Sequence, residues 1–271
     1  MVPVGRTPSP VDLRSYEYLL TLAKPAFAWE FARRNPDFAV EAALCRPYIP
    51  KPETVAPDTL LCRMEKRCRF AERWGLYILP DPDHSSEDIP PFWLPETLES
   101  TIGLRVTQRP RLNTQQFDLS LFPGRKHFLV PDIGPPELVV YGPHYAGYFQ
   151  LSGKWHLLPR RFYFRVQMGA FARFDPQLAA AETLYRLIEG PPPAPWRERA
   201  FGPNRLRRAL ICHDIRARHG GSHWDAARAV FGTERVERAR RRGDDSLRQR
   251  ARRSFQIAEN LIAGDYRKLL N

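Results

Sequence analysis

Residues 246–263 constrain this chain more tightly than any other stretch. At 100° per residue, Leu247, Ala251, Ser254, Phe255, Ala258, Leu261 and Ile262 fall on one face, so the segment reads as an amphipathic helix. Gln249, Arg253, Gln256 and Asn260 fall opposite, with Arg250 and Arg252 beside them. Arginine and the side-chain amides are the groups that bond guanine and adenine edges in a major groove. An apolar face backed by such a polar one is the pattern of a recognition helix.

Two shorter amphipathic runs precede it, at 204–219 and 222–231. Ser222 and Asp225 stand at the spacing of a capping box, and Gly232 can end the second run in the left-handed conformation. Ser246 and Gln249 offer another capping box. Gln249 therefore has two readings at this stage, as a cap-closing residue or as a base reader.

Charge gathers in the same region. From Arg205 to Asn271 there are 16 Arg and 1 Lys against 8 acidic residues, a net of +9, whereas the whole chain carries +12. Arg outnumbers Lys 36 to 6 overall. A compositional bias of that kind would spread the charge evenly, and the charge is not even. A basic stripe on one helical unit points to a polyanionic partner, here double-stranded DNA.

The rest of the chain bounds the architecture. Its 271 residues allow two or three domains, and 43% hydrophobic with 12% aromatic content is that of a globular chain. The first sixteen residues lack an apolar core of the kind that export signals carry, and no apolar run approaches membrane-spanning length. A cytoplasmic protein without a membrane partner is expected. Cys45, Cys62, Cys68 and Cys212 are too few for a disulfide framework, which suits a reducing compartment.

Taken in order, the residues up to Pro10 read as a loose tail. Helical spacing at Tyr16, Leu19, Leu20 and Ala23 stops before Pro25. A helix through Phe27–Phe38 restarts at Asn35-Pro36, giving a helical hairpin. Phe27, Trp29 and Phe31 load it with more aromatic surface than short helices bury among themselves, so they are assigned to an interdomain contact, with an ordinary small core as the alternative. Prolines between Pro47 and Pro57 forbid regular structure there. A basic helix is expected over Asp58–Trp74, ended by Gly75, and a strand over Leu76–Leu79. From Thr101 to Phe174, short β-type runs alternate with Pro/Gly turns and imply a small antiparallel sheet. Helical periodicity returns over Asp175–Glu189, and the segment from Gly190 to Pro195 reads as a stiff spacer. The expected fold is α+β: an N-terminal helical regulator or interaction domain (1–98), a β-rich middle section (99–173) and a C-terminal helix-turn-helix-like domain (174–271).

Motifs for catalysis or metal binding are weak. Cys212, His219 and His223 give half of a zinc-finger spacing without a second nearby cysteine, and Gly220-Gly221 keeps the two histidines off one helix. Cys45, Cys62 and Cys68 match no compact ligand motif, so packing thiols are the simpler reading. Pro123-Gly124-Arg125-Lys126 is a turn with two cations and not a phosphate loop. No enzyme, no metal and no cofactor is expected.

Several motifs together resemble a known family. Phe27–Phe38, Arg73-Trp74-Gly75-Leu76 and Pro91-Phe92-Trp93 resemble a proteobacterial domain found at the start of transcriptional regulators. The runs 225–232, 246–253 and 263–270 resemble its usual partner, an extended-turn helix-turn-helix once catalogued as a domain of unknown function. The pairing is similar to the FseA-like excision activators of integrative and conjugative elements. The resemblance implies an activator of excision or transfer genes, with an antiactivator protein as a second partner. It also implies that Thr233–Asp245 is the extended turn, in which Arg240-Arg241-Arg242 is a heavier run than a turn needs.

The expected DNA-binding residues are Arg241, Arg242, Arg248, Gln249, Arg250, Arg252, Arg253 and Gln256. Two other functions fit part of the pattern: a protein-interaction module (antiactivator or adaptor) that sequesters a regulator, and a nonspecific nucleic-acid binder. Operator sequence, inducing signal and oligomeric state are not encoded in any motif.

Overall fold

A computed structural model describes residues 12–45, 49–112, 114–119, 122, 124–157, 162–169, 173–189, 202–217 and 219–271. The tail before Pro10 and the spacer at 190–195 lie outside the described residues. Internal contacts divide the described chain into a sheet unit (22–189 and 267–271) and a helical unit (12–21 and 202–266). The α+β class is as expected.

In the sheet unit, proline places the first helices. Pro25 sits in the first turn of α1 (Lys24–Ala32), where its missing N–H costs nothing. Asn35 accepts from the Asp37 amide at 2.9 Å and starts α2 (Pro36–Cys45), so the expected restart is present. Upstream, the helical spacing from Tyr16 is realised as two 3-10 turns, Leu13–Tyr16 and Tyr18–Thr21. Helix α1 is buried over most of its circumference. Phe27, Trp29 and Phe31 are fully buried, Trp29 meets Phe38 edge-on with ring centroids 5.3 Å apart, and its indole N–H donates to the His84 carbonyl. These aromatics are core positions. Glu30 is buried with them, beside Arg33 (2.7 Å) and Arg34 (3.0 Å), and accepts from the Ser86 amide. Burial alone would raise its pKa, but the two guanidinium groups and the Ser86 bond outweigh that and lower it.

The expected helix over Asp58–Trp74 is not formed. Its first part is strand β2 (Thr59–Arg63), which forms a hairpin with β1 (Glu53–Ala56) through Asp58 at φ 54°, and only α3 (Arg69–Arg73) is helical. Sheet pairing decides this, because β2 runs parallel to β5 (Arg125–Val130) and gains tertiary partners that helical spacing could not supply. Contrary to expectation, the prolines of 47–57 do not exclude regular structure: β1 lies at the sheet edge, where Pro52 and Pro57 flank it outside the ladder. Leu76–Leu79 forms no strand beyond a single bridge from Leu76 to Trp93.

Among the described residues the sheet has eight strands and is mixed, not small and antiparallel. Its remaining members are β3 (Ile102–Thr107), β4 (Gln115–Phe117), β6 (Glu137–Gly142), β7 (Tyr145–Gly153) and β8 (Phe162–Gln167). The order is β1-β2-β5-β6-β7-β3-β8-β4. Chain neighbours joined by short connections, β5-β6 and β6-β7, are antiparallel. Of the pairs formed through long connections, β2-β5 and β3-β7 are parallel, whereas β3-β8 and β4-β8 are antiparallel. Short-range periodicity carries no information on such pairs. Helix α4 (Phe174–Glu189) packs on β3 and β7, adding Leu184 and Leu187 to a core of Ile102, Leu104, Phe128, Val140, Phe149 and Phe162. Each such buried side chain contributes about 1.5–3 kcal/mol. Gln177 satisfies its own burial, accepting from the Gly169 amide at 2.7 Å and donating to the Thr101 carbonyl at 3.0 Å.

The helical unit comprises α5 (Pro203–Ala217), α6 (His223–Phe231), α7 (Thr233–Arg241) and α8 (Ser246–Ile262). Helix α8 packs on α5 and α6, which also pack on each other.

Candidate nucleic-acid interface

The candidate interface is set by the way α8 is seated. Leu247, Ala251, Ser254, Ala258, Leu261 and Ile262 are buried, and Phe255 is half-buried, so the expected apolar face is the packed one. Opposite, Arg253, Gln256 and Asn260 are exposed together with Arg250 and Arg252, whereas Gln249 is half-buried. Gln256 donates to the Asn260 side-chain carbonyl at 3.1 Å, one helical turn away, which orders both amides on the outer face.

Local chemistry sets the helix ends. Ser222 and Asp225 make the expected capping box: the Asp225 amide donates to Ser222 Oγ at 3.2 Å, and the Ser222 amide donates to Asp225 Oδ2 at 2.8 Å. Burial would raise the Asp225 pKa, but its Ser222 bonds and the Arg228 charge lower it. Gly221 allows the α5–α6 connection, since a Cβ there would lie 2.7 Å from Ile215 Cγ2. Gly232 ends α6 with positive φ (89°), but its ψ of 137° is extended, and the chain turns directly into α7.

The second expected capping box is absent. Asp245 precedes α8, and Ser246 lies within it, its amide donating to Asp244 Oδ1 at 2.8 Å. Gln249 is joined to Asp245 through its backbone amide (2.9 Å). The acidic pair Asp244-Asp245 takes over the start of the helix, where carboxylates are favoured by the exposed N–H groups.

The segment expected as an extended turn holds a helix. Thr233–Arg241 forms α7, and only Arg242–Asp245 turn, with Gly243 at φ 70°. A short glycine-containing turn between two helices is the connection that helix-turn-helix motifs use. Only Val236 of α7 is buried, so apolar spacing gave no helical signal. Glu234 and Arg238, four apart and ion-paired, were the available clue.

Helix α7 and the turn bring further cations beside those expected. Arg238 pairs with Glu234, Arg228 with Asp225 and Glu237, and Arg248 with Asp245. Among the described residues, Arg241, Arg242, Arg250, Arg252 and Arg253 have no carboxylate partner, and neither do Arg235 and Arg240.

Aromatic rings on α6 and α8 hold several of these guanidinium groups. Arg240 and Arg248 lie over Trp224, 5.8 and 5.7 Å from its centroid. Arg208 and Arg250 lie over Phe231, at 5.9 and 5.0 Å. Such contacts fix a guanidinium without neutralising it. Burial, followed by the nearby Arg250 charge, lowers the Arg208 pKa. Two like charges near one ring, with no acid between them, favour an anion in their vicinity. Inside the unit, Arg216 lies 4.8 Å from the Phe255 centroid and donates to His223 Nδ1 at 2.9 Å. Burial and then the charges of Arg216, Arg252 and Arg248 lower the His223 pKa, which suits an accepting, neutral imidazole.

Residues 168–271 match a family model described as a T6SS transcription factor DNA-binding domain, and residues 12–77 match a proteobacterial transcriptional regulator-like domain. The first match takes in α4 as well as α5–α8. No curated protein matches the chain at a significant level. The two matches support a DNA-binding transcriptional regulator, with DNA as its partner. Among the described residues no helix is long and apolar enough to cross a membrane.

Proposed function

We propose that the chain is a sequence-specific, cytoplasmic transcriptional regulator that reads double-stranded DNA with the outer face of α8. The observation that carries this reading is the division of α8: its apolar face is buried against α5 and α6, and Arg252, Arg253 and Gln256 are exposed on the outside without carboxylate partners among the described residues. Arg253 and Gln256 are the base readers, Gln249 stands at the half-buried margin of that face, and Arg252 and Arg250 flank it. Arg241 and Arg242, at the end of α7 and in the turn, bind phosphates and set the register. Arg248 takes a supporting part, since Asp245 and Trp224 already engage it.

The regulatory role is activation of a mobile element's excision or transfer genes, which rests on the resemblance of the sequence motifs to excision activators. The description of the matched DNA-binding family model supplies type VI secretion promoters as the comparison set. The test is an electrophoretic shift series with the full-length protein on both promoter classes and on random duplex, each across a salt titration. Tighter binding to an excision or transfer promoter than to random DNA is expected. Equal affinity for all three would leave an arginine-rich nonspecific binder, and no binding at low salt would leave a protein-interaction module.

A further inference from the structure

Two cysteines separated by 23 positions meet in the sheet unit. Cys68 Sγ lies 3.4 Å from Cys45 Sγ. Cys45 is the last residue of α2 and is buried, and Cys68 immediately precedes α3 and is half-buried. The same two helices are already tied through Glu41 of α2: the Trp74 indole N–H donates to it at 2.8 Å, and Arg73 pairs with it. A covalent link here would join elements that are already neighbours. A disulfide needs sulfurs about 2.05 Å apart, so closure from 3.4 Å asks for an approach of about 1.4 Å. Cys62 and Cys212 are buried, and neither is paired with another thiol.

We propose that Cys45 and Cys68 form an oxidation site, closing to an intramolecular disulfide by exchange with a low-molecular-weight disulfide. The more accessible Cys68 is the entry point. Its thiolate attacks one sulfur of the small disulfide, forming a mixed disulfide and releasing one small thiolate, which takes up the proton Cys68 has lost. The Cys45 sulfur then attacks the Cys68 sulfur, and the second small thiolate leaves with the Cys45 proton. Two protein thiols are oxidised to one disulfide, and one small disulfide is reduced to two thiols. Burial, reinforced by the bond from Cys68, pushes the Cys45 thiol up to about 12. Cys45 is thereby a poor first nucleophile, and it is the contact of its sulfur with Cys68 Sγ at 3.4 Å that places it for the second attack. In a reducing compartment the pair rests as thiols and closes when the small-disulfide pool becomes oxidising.

The test uses the full-length protein incubated with glutathione disulfide, then denatured for thiol counting and intact mass measurement. The count should fall from the four cysteines of the sequence to two, with no glutathione retained and no crosslinked dimer. A C62S/C212S variant should lose both of its thiols in the same way. C45S should stop at the first step and keep one glutathione on Cys68. Four surviving thiols, retained glutathione on the wild-type protein, or intermolecular dimers in its place would overturn the proposal. If C45S does not fold, the C62S/C212S variant decides alone: two remaining thiols overturn the site, and none, without adduct, supports it.

Discussion

The Tyr16 hydroxyl donates to Asp214 Oδ2 at 2.8 Å, joining residues 198 positions apart within the helical unit. Asp214 is almost fully buried on α5, and His213 Nδ1 lies 3.2 Å from its other oxygen. The segment before α1 is thus fastened to the helix on which α8 packs. Removing one partner of a buried carboxylate leaves part of its desolvation uncompensated, which costs about 1–3 kcal/mol. Tyr16→Phe keeps the ring and deletes only the donor. It should lower the urea midpoint of the full-length protein by a corresponding amount with an unchanged denaturant slope. An unaltered midpoint would remove this bond from the account of how the helical unit is held.

Glu137 gives the sheet unit a stability that declines with pH. It is buried on β6 and accepts from the Tyr77 hydroxyl at 2.9 Å. Burial raises its pKa to about 8 from an ordinary 4.5, despite bonds from Tyr77 and Gln150. Between those two values the folded state binds more proton than the unfolded state. Stability therefore falls as pH rises through this window, by on the order of 1 kcal/mol per unit from this group. Glu137→Gln retains an acceptor and removes the titration. The difference in unfolding free energy between variant and wild type should grow in the variant's favour from pH 5 to pH 8. A difference independent of pH would show that Glu137 is charged in the fold.

What could be read from the sequence follows the range of the forces involved. The α8 faces, the Ser222–Asp225 cap and the Asn35-Pro36 restart depend on residues within one or two turns, so spacing alone revealed them. Strand β2 was read as helix because its partner, β5, lies more than sixty residues away and pairs in parallel. Helix α7 was missed for another reason. It buries only Val236, and a helix with one core residue has no apolar period to detect. The aromatic seats of Arg208, Arg240, Arg248 and Arg250 were also out of reach, since Trp224 and Phe231 meet them only after α5–α8 have packed.

Arg253 and Arg242 should differ in kind when removed. Arg253 projects from the outer face of α8, whereas Arg242 lies in the turn before it, and neither has a carboxylate partner among the described residues. A bidentate arginine–guanine contact is worth about 1–3 kcal/mol of discrimination. Arg253→Ala should relax preference at one base position of a selected site, as read by competition with single-base variants. Arg242→Ala should weaken all duplexes alike. Equal losses on specific and random DNA for both variants would reject α8 as the reading helix.

The dependence of binding on salt tests how many of the cations touch phosphate. Each phosphate contact on duplex DNA contributes about −0.9 to the slope of log affinity against log salt. The C-terminal stretch carries 17 basic residues, but ion pairs already occupy Arg228, Arg238 and Arg248. Among the described residues, Arg241, Arg242, Arg250, Arg252 and Arg253 remain without carboxylate partners around α8. A slope of roughly −4 to −6 per domain is expected on random duplex. Replacing Arg241 and Arg242 together by alanine should make it shallower by about 2. Disrupting the Arg248–Asp245 pair by Asp245→Asn frees one more cation, and the slope should steepen by about 1. The opposite signs separate phosphate contact from a general loss of fold, which would weaken binding in both variants without ordering their slopes. Base-edge contacts add affinity that is less sensitive to salt, so the ratio of specific to random binding should persist as the phosphate contribution is screened. A ratio near one at every salt concentration would reduce the interface to its charge, and α8 would then hold arginines in place without reading sequence.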